Sequence, residues 1–363
     1  MQCDPVSPAD GACQGLRVPG PSFVPAAELN AGFYAAAVRP LIDGHRHAAA
    51  LLGWGSDVLG YDTERSTDHG WGPRLLVFLD AESAVPECAA RLDAGLPERF
   101  GGWPVRFGWD EVAPRHHVTV TTLSAWLTGF LGIDATAGMS TLDWLLTPQQ
   151  RLLGVVAGRV YADDSGDLRQ LRELLRWYPD QLWRWLLACQ WHRVAGEEAF
   201  VVRTTEVGDE AGSAVVGARL VRDLMRLALL LDRRYAPYGK WLGTAFARMP
   251  HPDDLPQHLS DALHAGGADQ REAALAAAYR ALAVRQNATG LAEPLDAGTG
   301  NYHSRSAQVL RADRFAEALR VTVVDPGLRS LPLIGSIDQV VDSTAVLAEP
   351  RLYRRLSGLF AGL

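Results

Sequence analysis

Hydrophobic periodicity changes character once along this chain, between residues 132 and 140. Ahead of that point the apolar runs are short and end in glycines or other turn formers. His47 to Leu52 runs into Gly53-Trp54-Gly55-Ser56, and Leu75 to Leu79 reads LLVFL. Val105 to Trp109 and Val118 to Thr122 follow, the last with valines alternating with threonines. Runs of that length and boundary chemistry predict strands, with short helices over Ala26 to Ile42 and Ala84 to Leu96. Beyond Gly138 the repeat becomes helical. Ser140–Leu153, Asp167–Trp177, Asp180–Arg203, Ala211–Arg233, Gly239–Arg248, Arg271–Arg285 and Ala312–Val323 all carry it, and the Asp163-Asp164-Ser165-Gly166 turn offers caps. The pattern predicts an α+β chain. A proline-rich arm covers residues 1–25, an α/β domain with a mixed or antiparallel sheet covers 26–135, and an all-helical domain covers 136–363.

Composition removes several function classes. A chain of 363 residues, 48% hydrophobic and 21% charged, has the apolar content of about two folded domains and is not a disordered polymer. The longest apolar helical run, Leu220 to Leu231, is cut by Arg222, Asp223 and Arg226, so no membrane span is expected. The opening MQCDPVSPAD has neither a basic nor an apolar leader segment. Cys3, Cys13, Cys88 and Cys189 are scattered, as in a reduced, cytoplasmic protein. A net charge of −7 argues against nucleic acid as a partner and leaves room for a local basic patch that holds a small anion. All the basic residues are arginine except Lys240. That lysine is either a chance survivor of a GC-rich coding bias or a position where a compact ammonium is needed.

The stretch most suggestive of chemistry is GWGSDVLGYDTERSTDHGWGPRLLVFLD, residues 53 to 80. A Gly55-Ser56 turn after a strand lets backbone N–H groups and a hydroxyl approach an oxyanion, and Asp68 follows just before the next strand. Arg219, Arg222 and Arg226 fall at i, i+3 and i+7 on an otherwise apolar helix, with Asp223 on their flank. They form either a solvated face, with Asp223 pairing Arg219 or Arg226, or an anion-binding wall. Tyr235-Ala-Pro-Tyr238-Gly-Lys240 follows that helix. One of His116 and His117 is expected to face the cleft as base or donor. Asp110-Glu111 is a surface loop pair or a second base. His45 and His47 lack zinc spacing. Trp177, Trp183, Trp185 and Trp191 read as core.

The segment G-S-D-V-L-G-Y-D-T-E-R-S-T-D-H-x-W-G-P-R resembles the DUF4037 family of the nucleotidyltransferase-like superfamily. So do HHVTVTT (116–122), STLDWLLTPQQ (140–150), the 171–200 and 219–248 helices, and RVTVVDPGLRSLPLIGSIDQVVDST (320–344). The resemblance implies a minimal nucleotidyltransferase-like α/β domain closed by a helical one. It also implies a Gly-Ser turn, D-x-[D/E] on one strand and a third acid on a later strand, together holding two metals. Gly55, Ser56 and Asp68 fit the first part. By that resemblance the family's second acid would fall at Gly70 and its third at Thr119, which implies a member lacking the metal carboxylates. Asp57, Asp62 and Asp80 lie nearby, but only alternate strand residues face one cleft.

Three functions follow as expectations. The first is a metal-independent enzyme of specialised (natural-product) metabolism that binds a small, possibly carrier-bound substrate through a phosphate- or sulfate-type group. Gly55, Ser56, Arg74, Arg219, Arg222, Arg226, Tyr238 and Lys240 would line that pocket. Asp68, Asp110 or His117 would serve as base while an internal nucleophile displaces the group, as in aziridine-type ring closure. This reading needs no cofactor. The second is a Mg²⁺-dependent nucleotidyltransferase using ATP and acting on a small molecule or antibiotic. The third is a non-catalytic binding subunit that serves a partner protein of the same pathway.

Overall fold

The computed structural model describes residues 21–110 and 112–361. The expected arm, up to residue 20 and with it Cys3 and Cys13, lies outside the described residues, as does Glu111. The chain enters through α1 (Ala26–Phe33), which runs on as wider and then tighter helical turns to Leu41. β1 (His47–Leu51) follows, then a four-residue helix α2 (Ser56–Leu59), a tight turn over Glu64–Asp68, and β2 (Arg74–Leu79). α3 (Val85–Gly95) crosses back. A small ladder, β3 (Arg99–Phe100) with β4 (Trp103–Pro104), leads into the hairpin of β5 (Arg106–Trp109) and β6 (Val112–Thr121).

β1 and β2 are antiparallel, whereas β2 and β6 are parallel, in the sheet order β5-β6-β2-β1-β7. Side chains alternate across it. Ala49, Leu75, Val77, Leu79 and Val118 meet Phe33, Val38, Cys88 and Leu92 on one face. Ala48, Ala50, Leu52 and Phe78 pack toward Leu123, Trp126 and Leu168 on the other. The fifth strand, β7 (Arg159–Asp163), pairs with β1 and comes from beyond residue 135, from within the stretch expected to be helical throughout. A five-residue strand between two helices carries too little pattern to stand out in the sequence.

The remainder is helical. α4 (Leu123–Leu131), α5 (Thr141–Leu146) and α6 (Gln149–Val156) precede β7, and α7 (Asp167–Leu174) follows it. α8 (Asp180–Glu197), α9 (Phe200–Thr205), α10 (Glu210–Leu231), α11 (Gly239–Ala247), α12 (Leu255–His264), α13 (Ala268–Ala288) and α14 (Asp313–Arg320) build the main helical core. The expected Ser140–Leu153 helix is two helices. Ser140 and Asp143 form a capping box on the first, and Thr147-Pro148 breaks the ladder before the second. Trp183, Trp185 and Trp191 are buried as expected, with Trp183 Nε1 donating to the Leu230 carbonyl (2.8 Å) and Trp191 Nε1 to Gln286 Oε1 (3.0 Å). Four short helices close the chain: α15 (Pro326–Ser330), α16 (Ile337–Val340), α17 (Thr344–Leu347) and α18 (Pro350–Tyr353). Among the described residues no helix is long and apolar enough to cross a membrane.

Candidate functional site

The Gly-Ser turn is held from behind by an ion pair. Gly55 has φ +123°, and a Cβ there would come within 2.1 Å of Asp57 Oδ1 and 3.2 Å of an Arg74 terminal nitrogen, so only glycine fits. Asp57 is buried and receives Arg74 Nε at 2.6 Å and Nη2 at 2.9 Å. Nη2 also donates to the Trp54 carbonyl at 2.7 Å, while the Arg74 backbone N–H donates to Asn30 Oδ1 at 2.8 Å. Arg74, expected as an open anion ligand, therefore spends most of its donor fork on Asp57. Among the described residues Nη1 has no partner. Ser56 stands at the start of α2, its Oγ 3.4 Å from Ser66 Oγ.

Arg74 and His117 are register partners on the parallel strands β2 and β6, so they share a sheet face with Leu76, Thr119 and Thr121. His117 packs against the rings of Phe107 (4.3 Å) and Trp109 (5.0 Å), which also touch each other (6.1 Å). Its Nε2 lies 2.9 Å from the Phe107 carbonyl, which only accepts, so the proton is on Nε2 and Nδ1 carries the free lone pair. Burial pushes its pKa below 6.5; the Phe107 bond opposes that shift, and the charges of Arg115 and Arg74 add to it. His116 turns away to Asp93 Oδ1 at 2.7 Å. Of the two histidines, His117 is the one that shares a sheet face with Arg74.

The acids are arranged otherwise than expected. Asp68 closes the turn over Glu64–Asp68, six residues ahead of β2 and not on a strand; its carboxylate is 58% exposed and 3.5 Å from Arg65 Nε. Gly70 has φ +63°, with the Trp109 ring 3.7 Å from where a Cβ would stand. Thr119 is exposed on β6. Asp110, with φ +39° at the β5–β6 corner, is 76% exposed and 3.3 Å from His69 Nδ1. Asp62 accepts from the Ala26 N–H and Trp71 Nε1. Asp80 lies past the far end of β2. One exposed carboxylate beside a glycine and a threonine is not a donor set for two divalent ions, so the residues present do not fit the metals the superfamily resemblance implies.

The expected cationic wall is largely answered by the chain's own acids. Arg219 pairs with Glu197 at 2.6 Å and Arg222 with Asp342 at 2.7 Å. Arg226 donates to the Asp338 carbonyl at 3.1 Å, and burial pulls its pKa down. Asp223 pairs with Arg193 (2.7 Å), not with Arg219 or Arg226. Tyr238 accepts a hydrogen bond from Trp241 Nε1 (2.7 Å) and stands where two crevices meet, one beside Gly53–Gly55 and one beside Arg222 and Arg226. Lys240 is exposed on the first turn of α11, its ammonium 5.0 Å from the centroid of a Trp241 ring. Trp241 in turn packs on Tyr61 (5.4 Å), in the loop that follows Ser56. Lys240 thus begins a helix that packs, through Trp241, against the loop after Ser56.

Two residues with a place in this site gave no signal in the sequence. Trp109 covers Gly70 and His117. Arg151 of α6 is buried without a carboxylate; it lies over the Trp54 ring (4.2 Å), donates to the Phe130 carbonyl (2.9 Å) and also bonds the Ala348 carbonyl. Only contacts distant in sequence reveal either role.

Residues 144–242 match the model of the DUF4037 family, a domain of unknown function. The resemblance holds there over the helices that carry Arg219, Arg222, Arg226, Tyr238 and Lys240. No curated protein matches the chain. A solved structure described as a nucleotidyltransferase-like protein from Exiguobacterium sibiricum 255-15 aligns over 82% of this chain and 89% of its own, at 13% identity and a TM-score of 0.34, too low to carry an argument.

Proposed function

We propose that this DUF4037-type chain is a metal-independent enzyme of specialised metabolism that expels a phosphate- or sulfate-type group from a small substrate by attack of the substrate's own amine. The observation that supports this best is His117, a neutral imidazole whose Nε2–H is committed to the Phe107 carbonyl, leaving the lone pair on Nδ1, with Arg74 beside it on the same sheet face. The amine lone pair attacks the carbon bearing the oxyanion. The C–O bond breaks with its electrons leaving on the sulfate or phosphate, and the amine proton passes to His117 Nδ1. A three-membered ring, an aziridine, is the product when amine and leaving group are vicinal. Ser56 Oγ, the remaining donors of Arg74 and the ammonium of Lys240 receive the departing anion. Asp68 and Asp110 are weaker candidates for the base, since both are exposed and each already faces a cation or histidine.

The test is release of inorganic sulfate or phosphate from vicinal amino esters, beginning with 2-aminoethyl hydrogen sulfate, with and without chelator. Chelator-insensitive release that falls about 100-fold in His117→Ala supports the proposal. Tight Mg²⁺-dependent ATP binding by calorimetry favours the nucleotidyltransferase instead. Release that begins only when a second protein of the pathway is added favours the binding subunit.

A further inference from the structure

A sizeable cavity lies away from the Gly-Ser turn. It has a volume of about 590 Å³ and opens to the surface where β2 and β6 end, between the sheet and α7, a size typical of small-molecule sites. Its floor is apolar: Ala48 and Phe78 from the sheet, Leu123 from α4, and Leu168, Leu171 and Leu174 from α7. Arg74 and Phe78 lie four residues apart on one strand, so the cavity sits about 13 Å from the His117 site on the same face.

Its rim has one sign of charge. Asp80 and Asp167 line it, and Ser124 and Thr136, also in the lining, hold the carboxylate of Asp134 at 2.6 and 2.7 Å. Those hydrogen bonds keep Asp134 below the usual carboxylate range and therefore charged. No Lys, Arg or His is among the described residues lining the cavity. Arg46, 68% exposed, lies 3.6 Å from Asp80. Two helix starts border the cavity, and side chains of the chain itself already cap both. Asp163 accepts the Gly166 N–H ahead of α7 and the Arg169 N–H in its first turn, and Thr122 Oγ1 accepts the Ala125 N–H at the start of α4.

An apolar floor under a carboxylate rim fits one class of ligand. We propose that this cavity is a second binding site, for a small apolar molecule bearing a primary amine, with the body on Phe78, Leu168 and Leu171 and the ammonium between Asp80 and Asp167. The site stands whether or not His117 acts as a base.

Dansylcadaverine, an apolar fluorophore on a primary amine, tests this on the full chain. The expected result is saturable, blue-shifted fluorescence, with binding about tenfold weaker for the N-acetylated probe. Asp80→Asn with Asp167→Asn should cost the amine the same factor and leave the acetylated probe unchanged. Asp167→Lys should reverse the preference, toward dansylglycine. Circular dichroism of each variant identifies any that fail to fold, and the acetylated probe reads the state of the apolar floor independently. Absence of saturable amine binding, equal affinity for the amine and its acetylated form, or amine binding indifferent to both acids overturns the proposal.

Discussion

At the scale of single residues, the proposed chemistry rests on two side chains. His117 must be neutral to accept a proton, and burial holds its pKa below 6.5. The rate should therefore rise with pH through a midpoint under 6.5 and stay level to pH 8, and His117→Gln should flatten that limb as well as lower kcat. A pH–rate profile that keeps its acid limb in His117→Gln assigns the base elsewhere. Lys240 poses a different question, since an exposed ammonium over Trp241 contributes little to folding. Lys240→Ala should lower kcat/KM about 100-fold, near 2.7 kcal/mol, the scale of one charge contact in a transition state. Lys240→Arg should fall nearly as far, because the guanidinium is wider and flat. Thermal melts of both should match the parent. An arginine variant with parental kinetics makes Lys240 an ordinary surface cation.

At the scale of elements, the turn between β1 and α2 is the most constrained piece of the site. Gly55→Ala places a methyl against Asp57 Oδ1 in a left-handed conformation, and Asp57→Ala strands the guanidinium of Arg74. Each should cost about 3 kcal/mol in urea unfolding, and the double variant should cost much less than the sum, because both act through one ion pair. Additive losses would separate the glycine from the pair. This turn also marks what could be read from sequence. The Gly-Ser after a strand, the three central strands and most helix cores follow from local periodicity and turn chemistry, which act over a few residues. That Gly70 and Thr119 stand where acids would be expected came from the DUF4037 resemblance and not from periodicity. Side-chain partners were not legible: that Arg74 would be taken by Asp57, Arg222 by Asp342 and Asp68 left off the strand depends on contacts between distant elements. β7 escaped because its register against β1 is tertiary information.

At the scale of the whole molecule, the end of the chain ties the helical core together through buried acids. Asp338 of α16 accepts the Gln149 N–H at 2.8 Å beside Arg226, and Glu198, just after α8, accepts the Leu310 and Ala312 N–H groups at 2.8 and 3.0 Å. Burial, the largest influence on each, raises Glu198 to about 7 and Asp338 to about 6. A carboxyl whose pKa is higher folded than unfolded binds its proton more tightly in the native state, so it favours folding at low pH and loses that contribution as pH rises. For Glu198 the window runs from 4.5 to about 7, and for Asp338 from 3.8 to about 6. At about 1.4 kcal/mol per unit, Glu198 alone accounts for a decline of up to about 3 kcal/mol across its window. Other acids and histidines titrate over the same range, so the parent curve by itself is not diagnostic; the difference from a variant is. Urea unfolding of parent and Glu198→Gln between pH 5 and 8 should give a stability gap that narrows or reverses as pH rises, since glutamine cannot take the charge that burial penalises. One hydrogen bond to Leu310 or Ala312 is lost in the variant at every pH, which offsets the whole difference curve without changing its slope. A difference flat from pH 5 to 8 would mean that Glu198 ionises in the folded chain as it does in the unfolded one, and that the segment at Leu310–Ala312 is held by a carboxylate already charged at pH 5.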